Sequence, residues 1–214
     1  MDKNQITYKL SQQGIIAVVR GKTCEDGIRI ADACIKGGVK AIELAFTTPK
    51  AHAAIATLVE KYQADEDVII GAGTVLDAAS CRIAILQGAQ FIVSPCFNED
   101  IVRMCNLYRV VSCPGTMTPT EAVAALSAGA DIIKVFPGDI VGTKMIKDIH
   151  GPLPQAALMP SGGVSVENTA EWFHAGAVAV SAGGSLTGSA KTGDYDGVTA
   201  KAKEFVRAVA AARA

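Results

Sequence analysis

The chain has 214 residues, half of them hydrophobic, with 19% charged, 5% aromatic and a formal net charge of −1. That length and apolar content allow a sizeable core in one or two domains and exclude a disordered chain. The near-neutral charge removes any electrostatic case for nucleic acid or an anionic membrane, and no apolar stretch approaches the roughly 18 residues that span a bilayer.

The opening segment, MDKNQITYKLSQQG, is polar and lacks the apolar core of a signal peptide, so a cytoplasmic location is expected. Eight short apolar runs follow: Ile15–Arg20, Ala41–Phe46, Val68–Val75, Phe91–Pro95, Val110–Pro114, Ile132–Pro137, Ala157–Pro160 and Ala177–Ala182. Each is rich in β-branched residues and bounded by Gly or Pro, as buried parallel strands are. Amphipathic stretches between them read as helices. Cys24–Lys36 stops at Gly37-Gly38. Thr48-Pro49 is expected to open the next helix with proline at its first position. Asp77 and Asn98 suit N-caps, and Thr118-Pro119-Thr120-Glu121 has the form of a capping box. Three of the helices are expected to end at Gly88, Gly129 and Gly176, and the last to begin near Tyr195.

One strand recurs every 20 to 30 residues or so, about one βα unit each. No linker or change of composition interrupts the series. The expected architecture is therefore a single α/β domain over residues 1–214, a (β/α)8 TIM barrel. The alternative is an open, doubly wound sheet.

The six cysteines form no CxxC pair and lie within apolar segments, where they read as reduced, mostly buried side chains. The three histidines, His52, His150 and His174, are far apart and show no metal-ligand spacing, so no metal is expected.

Lys134 is the sole charge in Ile132-Ile133-Lys134-Val135-Phe136-Pro137. On an edge strand its head would reach water and mean little. In a buried strand, desolvation favours the neutral amine of a lysine, the form that attacks carbonyls, which points to Schiff-base chemistry. Alternation in a barrel puts Ile132, Lys134 and Phe136 on the inward face. The second run gives a matching pattern: Ala41, Glu43 and Ala45 face inward, with Ile42, Leu44 and Phe46 toward the helices. Glu43 could serve as a structural ion-pair partner or as the acid–base of a polar pocket. Active sites of this fold gather at the C-terminal strand ends, where Arg20, Thr74, Ser161 and Ser185 also fall. Thr74 could equally be a structural hydroxyl. Ser161-Gly162-Gly163-Val164 and Gly183-Gly184-Ser185 follow the seventh and eighth runs. Each could be a plain tight turn, yet these are the two loops that often bind phosphate in barrels. Gly71-Ala72-Gly73-Thr74 does not match a dinucleotide fingerprint.

Taken in series, IAVVRG, IELAFTTP, IIGAGTVL, FIVSP, CPG, IIKVFP, SGGV and AGGS resemble the class I aldolases that cleave 2-keto-3-deoxy-6-phosphogluconate and 4-hydroxy-2-oxoglutarate, the KDPG/KHG aldolase family. The likeness runs from about Gly14 into the last helix. It implies that Lys134 forms an imine and that Glu43 shuttles protons. It further implies that Arg20 and Thr74 bind the substrate near its carboxylate and that Gly162, Gly163, Gly184 and Ser185 surround a phosphate. Phe136 and Pro95 are expected to wall the pocket. The lysine itself would be the electron sink, so no cofactor is expected, and the resemblance implies a homotrimer.

One position departs from the pattern. Gluconate-type members often carry an arginine four residues after the glutamate, where this chain has Thr47. The galactonate branch has an arginine ending the first strand, as Arg20 does. The substrate is thus left between the phosphogluconate, the phosphogalactonate and the unphosphorylated 4-hydroxy acid. Two further readings use the same barrel: a phosphosugar isomerase or epimerase with Glu43 as base, and a sugar-phosphate-binding barrel without turnover.

Overall fold

The computed structural model describes residues 1–214. The chain begins with α1 (Lys3–Gln13), β1 (Ile15–Val19), α2 (Cys24–Lys36), β2 (Ala41–Ala45), α3 (Ala51–Lys61), β3 (Ile69–Gly73) and α4 (Ala78–Leu86). It continues with β4 (Phe91–Val93), α5 (Glu99–Tyr108), β5 (Val111–Cys113), β6 (Gly115–Thr116), α6 (Pro119–Ser127) and β7 (Ile133–Val135). The last part holds α7 (Gly138–Val141), α8 (Lys144–His150), β8 (Leu158–Pro160), α9 (Thr169–His174), β9 (Val180–Ala182), α10 (Gly184–Thr187) and α11 (Tyr195–Arg213).

Every strand pairing is parallel. Six strands form one sheet in the order β5-β4-β3-β2-β1-β9, and three form a second in the order β6-β7-β8. Two seams join the sheets into one curled surface. At the first, β5 and β6 are separated only by Pro114, which has no N–H to offer a ladder. Lys134 N donates to the Pro114 carbonyl at 2.9 Å, so that carbonyl still serves β7. At the second, Ser161 and Ser181 form an isolated parallel bridge, and Val178 N donates to Leu158 O at 2.9 Å. In place of eight strands in one continuous ladder, the hydrogen bonds draw nine strands in two sheets. The fifth run is the one that divides.

The apolar residues separate into two cores, as alternation requires. A cluster of 45 buried residues lies between strands and helices and includes Ile42, Leu44, Ile133 and Val135. A cluster of 12 fills the inside of the curl and includes Ile16, Ala41, Phe91, Ile132, Met159 and Ala179. The inner cluster also contains Ile6 and Leu10 of α1, which covers the N-terminal end of the strands. That helix is legible as Asp2 and Gln5 in a reciprocal capping box, although the opening segment suggested only polarity.

The caps expected at Asp77, Asn98 and Thr118 form, the last with Glu121 and with Pro119 in the first turn. The helix expected to open at Pro49 starts two residues later. Lys50 precedes it in a left-handed conformation, φ 54°, and Pro49 belongs to the turn before it. Thr48 is buried there, and its hydroxyl accepts from Gly21 N at 3.0 Å, tying the turn after β2 to the turn after β1.

Candidate active site

The inner core ends one layer below the C-terminal strand ends, and the next inward layer is polar. It contains Glu43 from β2, Lys134 from β7, Ser161 just past β8 and Ser181 from β9, all buried. The strand patterns explain the change. Ala41 and Glu43 alternate with Ile42 and Leu44, and Ile132 and Lys134 alternate with Ile133 and Val135, so each inward face passes from apolar to charged within one repeat.

Lys134 is 5% exposed and Glu43 1%. The Lys134 Nζ lies 4.0 Å from Glu43 Oε1 and 5.0 Å from the centre of the Phe136 ring. Neither oxygen of Glu43 has a hydrogen-bond partner. Burial raises the Glu43 carboxyl above the usual carboxylate range, against the pull of Lys134, Arg20 and the Ser181 hydroxyl. A buried acid whose affinity for protons is raised, beside an amine, is a pair suited to taking and returning protons.

Above this pair opens a cavity of about 460 Å³. Lys134 lies at its floor, and Arg20, Thr74, Pro95, Phe136, Gly162, Gly163, Gly184 and Ser185 all line it. The residues singled out in the sequence are thus brought together from β7 and from the C-terminal ends of, or loops after, β1, β3, β4, β7, β8 and β9. Glu43 sits below the lining. Thr47 is exposed and does not line the cavity, so its neighbour Thr48 is the residue of that turn with a structural task. Thr74 adopts φ 56°, a strained conformation for a β-branched residue, at the cavity wall.

The two glycine turns differ in kind. Gly162 and Gly163 have φ 93° and 67°, and a Cβ on Gly163 would stand 2.6 Å from Asp139 Cβ, so this loop packs on α7 only as glycine. Gly184 and Ser185 open α10, where amide N–H groups have no acceptor within the helix. The Ser185 hydroxyl donates to Val164 O at 2.6 Å and links the two loops.

Two residues that shape the site were not foreseen. Gly73 lies beside Ala45 in the β2–β3 ladder, and a Cβ there would overlap Glu43 Oε1 and stand 2.5 Å from its Cγ. Ser181 is the second; as the only polar residue inside Val178-Ala179-Val180-Ser181-Ala182, it carries the same signal as Lys134.

The family profile of the KDPG and KHG aldolases matches residues 6–201. The chain belongs to the KDPG/KHG aldolase family. It is accordingly a carbon–carbon lyase. It is 35% identical over 173 residues to the 2-dehydro-3-deoxy-6-phosphogalactonate aldolase of Escherichia coli K12, covering 80% of this chain and 83% of that one. It is also 35% identical over 204 residues to the 2-dehydro-3-deoxy-phosphogluconate aldolase of Treponema pallidum, covering 94% and 95%. The KDPG aldolase of Legionella pneumophila, solved with pyruvate captured as a covalent carbinolamine intermediate, superposes with a TM-score of 0.84 at 25% identity over 92% of this chain and 96% of that one.

Proposed function

We propose that this aldolase cleaves a 2-keto-3-deoxy-6-phospho sugar acid to pyruvate and glyceraldehyde 3-phosphate through an imine on Lys134. The observation that carries the reading is a lysine 5% exposed, at the floor of a polar cavity, with the Glu43 carboxylate 4.0 Å from its amine. The carbinolamine trapped in the Legionella pneumophila relative supports the same covalent chemistry here.

The neutral amine of Lys134 attacks the C2 ketone, and the resulting carbinolamine loses water to give a protonated imine. Glu43 takes the proton of the C4 hydroxyl, directly or through a water. The C3–C4 bond breaks, its electrons pass into the imine, and the aldehyde departs. The enamine left behind is protonated at C3, and hydrolysis frees pyruvate and restores Lys134. Positioned proton transfer of this kind typically contributes about 10²–10⁴-fold. Lys134 is the electron sink, so the reaction uses no cofactor. Arg20 and Thr74 face the carboxylate end of the substrate. Gly162, Gly163, Gly184 and Ser185 receive the phosphate with backbone amides, and Pro95 and Phe136 wall the cavity.

Thr47, in place of the arginine frequent in gluconate-type members, favours the phosphogalactonate as the better substrate. We read residues 1–214 as one catalytic domain whose two sheets close into a (β/α)8 barrel; the hydrogen bonds at the Pro114 and Ser161–Ser181 seams support closure. The enzyme acts as a cytoplasmic homotrimer in this reading. Leu76 in the turn before α4, Ile83 and Leu86 of α4 and Leu107 of α5, all exposed, supply apolar surface for contact between copies, and the six free cysteines suit a reducing compartment.

Borohydride reduction in the presence of pyruvate tests the reading. A stable adduct on Lys134, absent in Lys134→Ala, is expected; no adduct on the wild-type protein would overturn the imine. Comparison of kcat/KM for the phosphogalactonate, the phosphogluconate and 4-hydroxy-2-oxoglutarate then ranks the substrates.

A further inference from the structure

Ser161 and Ser181 are polar, face inward and have no part in the reaction as described. They stand opposite each other across the seam between β8 and β9, joined by a parallel bridge. Ser161 is 5% exposed and Ser181 1%. A hydroxyl withdrawn from water costs free energy unless it is hydrogen-bonded. The Ser161 hydroxyl donates to Ser181 Oγ at 3.4 Å. Ser181, already an acceptor, is left with its own proton to give.

Glu43 has the complementary deficit, since both of its oxygens are buried and unpartnered. The charged and titratable groups around it are Lys134 of β7, Arg20 at the end of β1 and the Cys113 thiol of β5. On the β3 side Gly73 offers no side chain. Ser181 of β9 belongs to the same buried inward layer as Glu43 of β2; with Lys134 and Arg20, its hydroxyl acts against the rise that burial imposes on the carboxyl.

We propose that Ser181 is a positioning residue for the proton transfers of Glu43: its hydroxyl, oriented by Ser161 across the seam, donates to the carboxylate whenever Glu43 is ionised. The inference rests on the aldolase mechanism above. That mechanism needs Glu43 to accept the C4 hydroxyl proton, which only the ionised form does. A donor held in reserve favours that form without adding a second fixed charge beside the imine. Ser161 contributes by donating to one lone pair of Ser181 Oγ, which leaves the single Ser181 O–H to be turned to the carboxylate.

The test is the pH dependence of kcat and KM for cleavage of 2-keto-3-deoxy-6-phosphogalactonate by the full-length enzyme and by Ser181→Ala. Loss of the donor leaves burial less opposed, so more of Glu43 is protonated at a given pH. The acidic limb of kcat is expected to move up by about one pH unit, kcat near neutrality to fall about tenfold, and KM to stay near the wild-type value. Ser161→Ala is expected to move the same limb in the same direction by less. Borohydride trapping of pyruvate on Lys134 should proceed in both variants, since the amine is untouched. An acidic limb that coincides with wild type, with or without a fall in kcat, would overturn the proposal. If Ser181→Ala does not fold, Ser161→Ala decides: a moved limb supports the proposal and an unmoved one defeats it. Failure of the wild-type enzyme to trap pyruvate would instead refute the imine mechanism, and so separates the two readings.

Discussion

Lys134 Nζ and Glu43 Oε1 face each other across the inside of the curled sheet at 4.0 Å, the outer limit of an ion pair and beyond hydrogen-bond reach. A pair built for stability would close that gap, because two buried charges are costly unless geometry and hydrogen bonds compensate. Here both Glu43 oxygens are left without a partner. The incomplete pair leaves the Glu43 oxygens with unused hydrogen-bonding capacity beside an amine that lines the cavity.

The gap has a consequence for stability. Burial holds the Glu43 carboxyl above its usual range, so the folded chain keeps a proton in a pH window where the unfolded chain has lost it. The folded state binds more protons there, and stability falls as pH rises from the ordinary glutamate value through the raised one. Glu43→Gln carries no such titration. Its melting temperature relative to wild type should therefore move in the variant's favour as pH rises through that window, while cleavage is lost. Parallel melting curves against pH would show that Glu43 does not titrate as described.

Gly73→Ala should damage the reaction more than the fold. The added Cβ occupies space that Glu43 Oε1 and Cγ now fill, so the carboxylate must turn away from Lys134. A fall in kcat of about 10²-fold is expected, with pyruvate trapping on Lys134 retained. A variant with wild-type kcat would mean that the glutamate can act from another position.

Gly163→Ala addresses the loop proposed to hold the phosphate. Its φ of 67° and the approach to Asp139 both disfavour a side chain, and the loop should shift away from α7. KM for a phosphorylated substrate is expected to rise about tenfold if one charge-assisted hydrogen bond is lost, while KM for 4-hydroxy-2-oxoglutarate stays the same. Equal effects on the two substrates would place the phosphate elsewhere.

Lys3 and Asp131 offer a control far from the cavity. Lys3 Nζ lies 3.0 Å from Asp131 Oδ2, and the same oxygen accepts from Ser112 N at 2.8 Å and Ser112 Oγ at 3.0 Å. Their side chains are 10% and 18% exposed, so the bridge is largely removed from water. Lys3→Met should lower stability by about 1–3 kcal/mol and leave kcat unchanged, as denaturant unfolding and steady-state kinetics would show.

Much of this was legible along the chain because strand alternation is a local signal. Glu43 among Ala41, Ile42, Leu44 and Ala45 declares its face, and so does Lys134. What escaped depends on neighbours distant in sequence. Gly73 matters because the ladder sets it beside Ala45, and the role of Thr48 rests on the Gly21 amide. The apolar run ends at Pro114, whereas in the fold this proline divides one strand into β5 and β6. Helices α7 and α8 lie in the stretch after Pro137, where a weak apolar period gave no boundary. Pro49 satisfied the rule for a helix start, but the turn tied to Thr48 delays the helix to Ala51.

Helix α1 and the inner core have a consequence for traffic. Ile6 and Leu10 join the apolar inner core beneath Lys134 at the N-terminal end of the strands, so the cavity opens toward the C-terminal strand ends, where its lining loops lie. In the proposed mechanism the amine lies at the bottom and the loops proposed to hold the phosphate lie at the rim. A cleaved substrate then leaves in a forced sequence: the aldehyde, nearest the opening, goes first, and pyruvate, still tethered at the bottom, follows. In the condensation direction the queue reverses, and pyruvate must enter before any aldehyde can be useful.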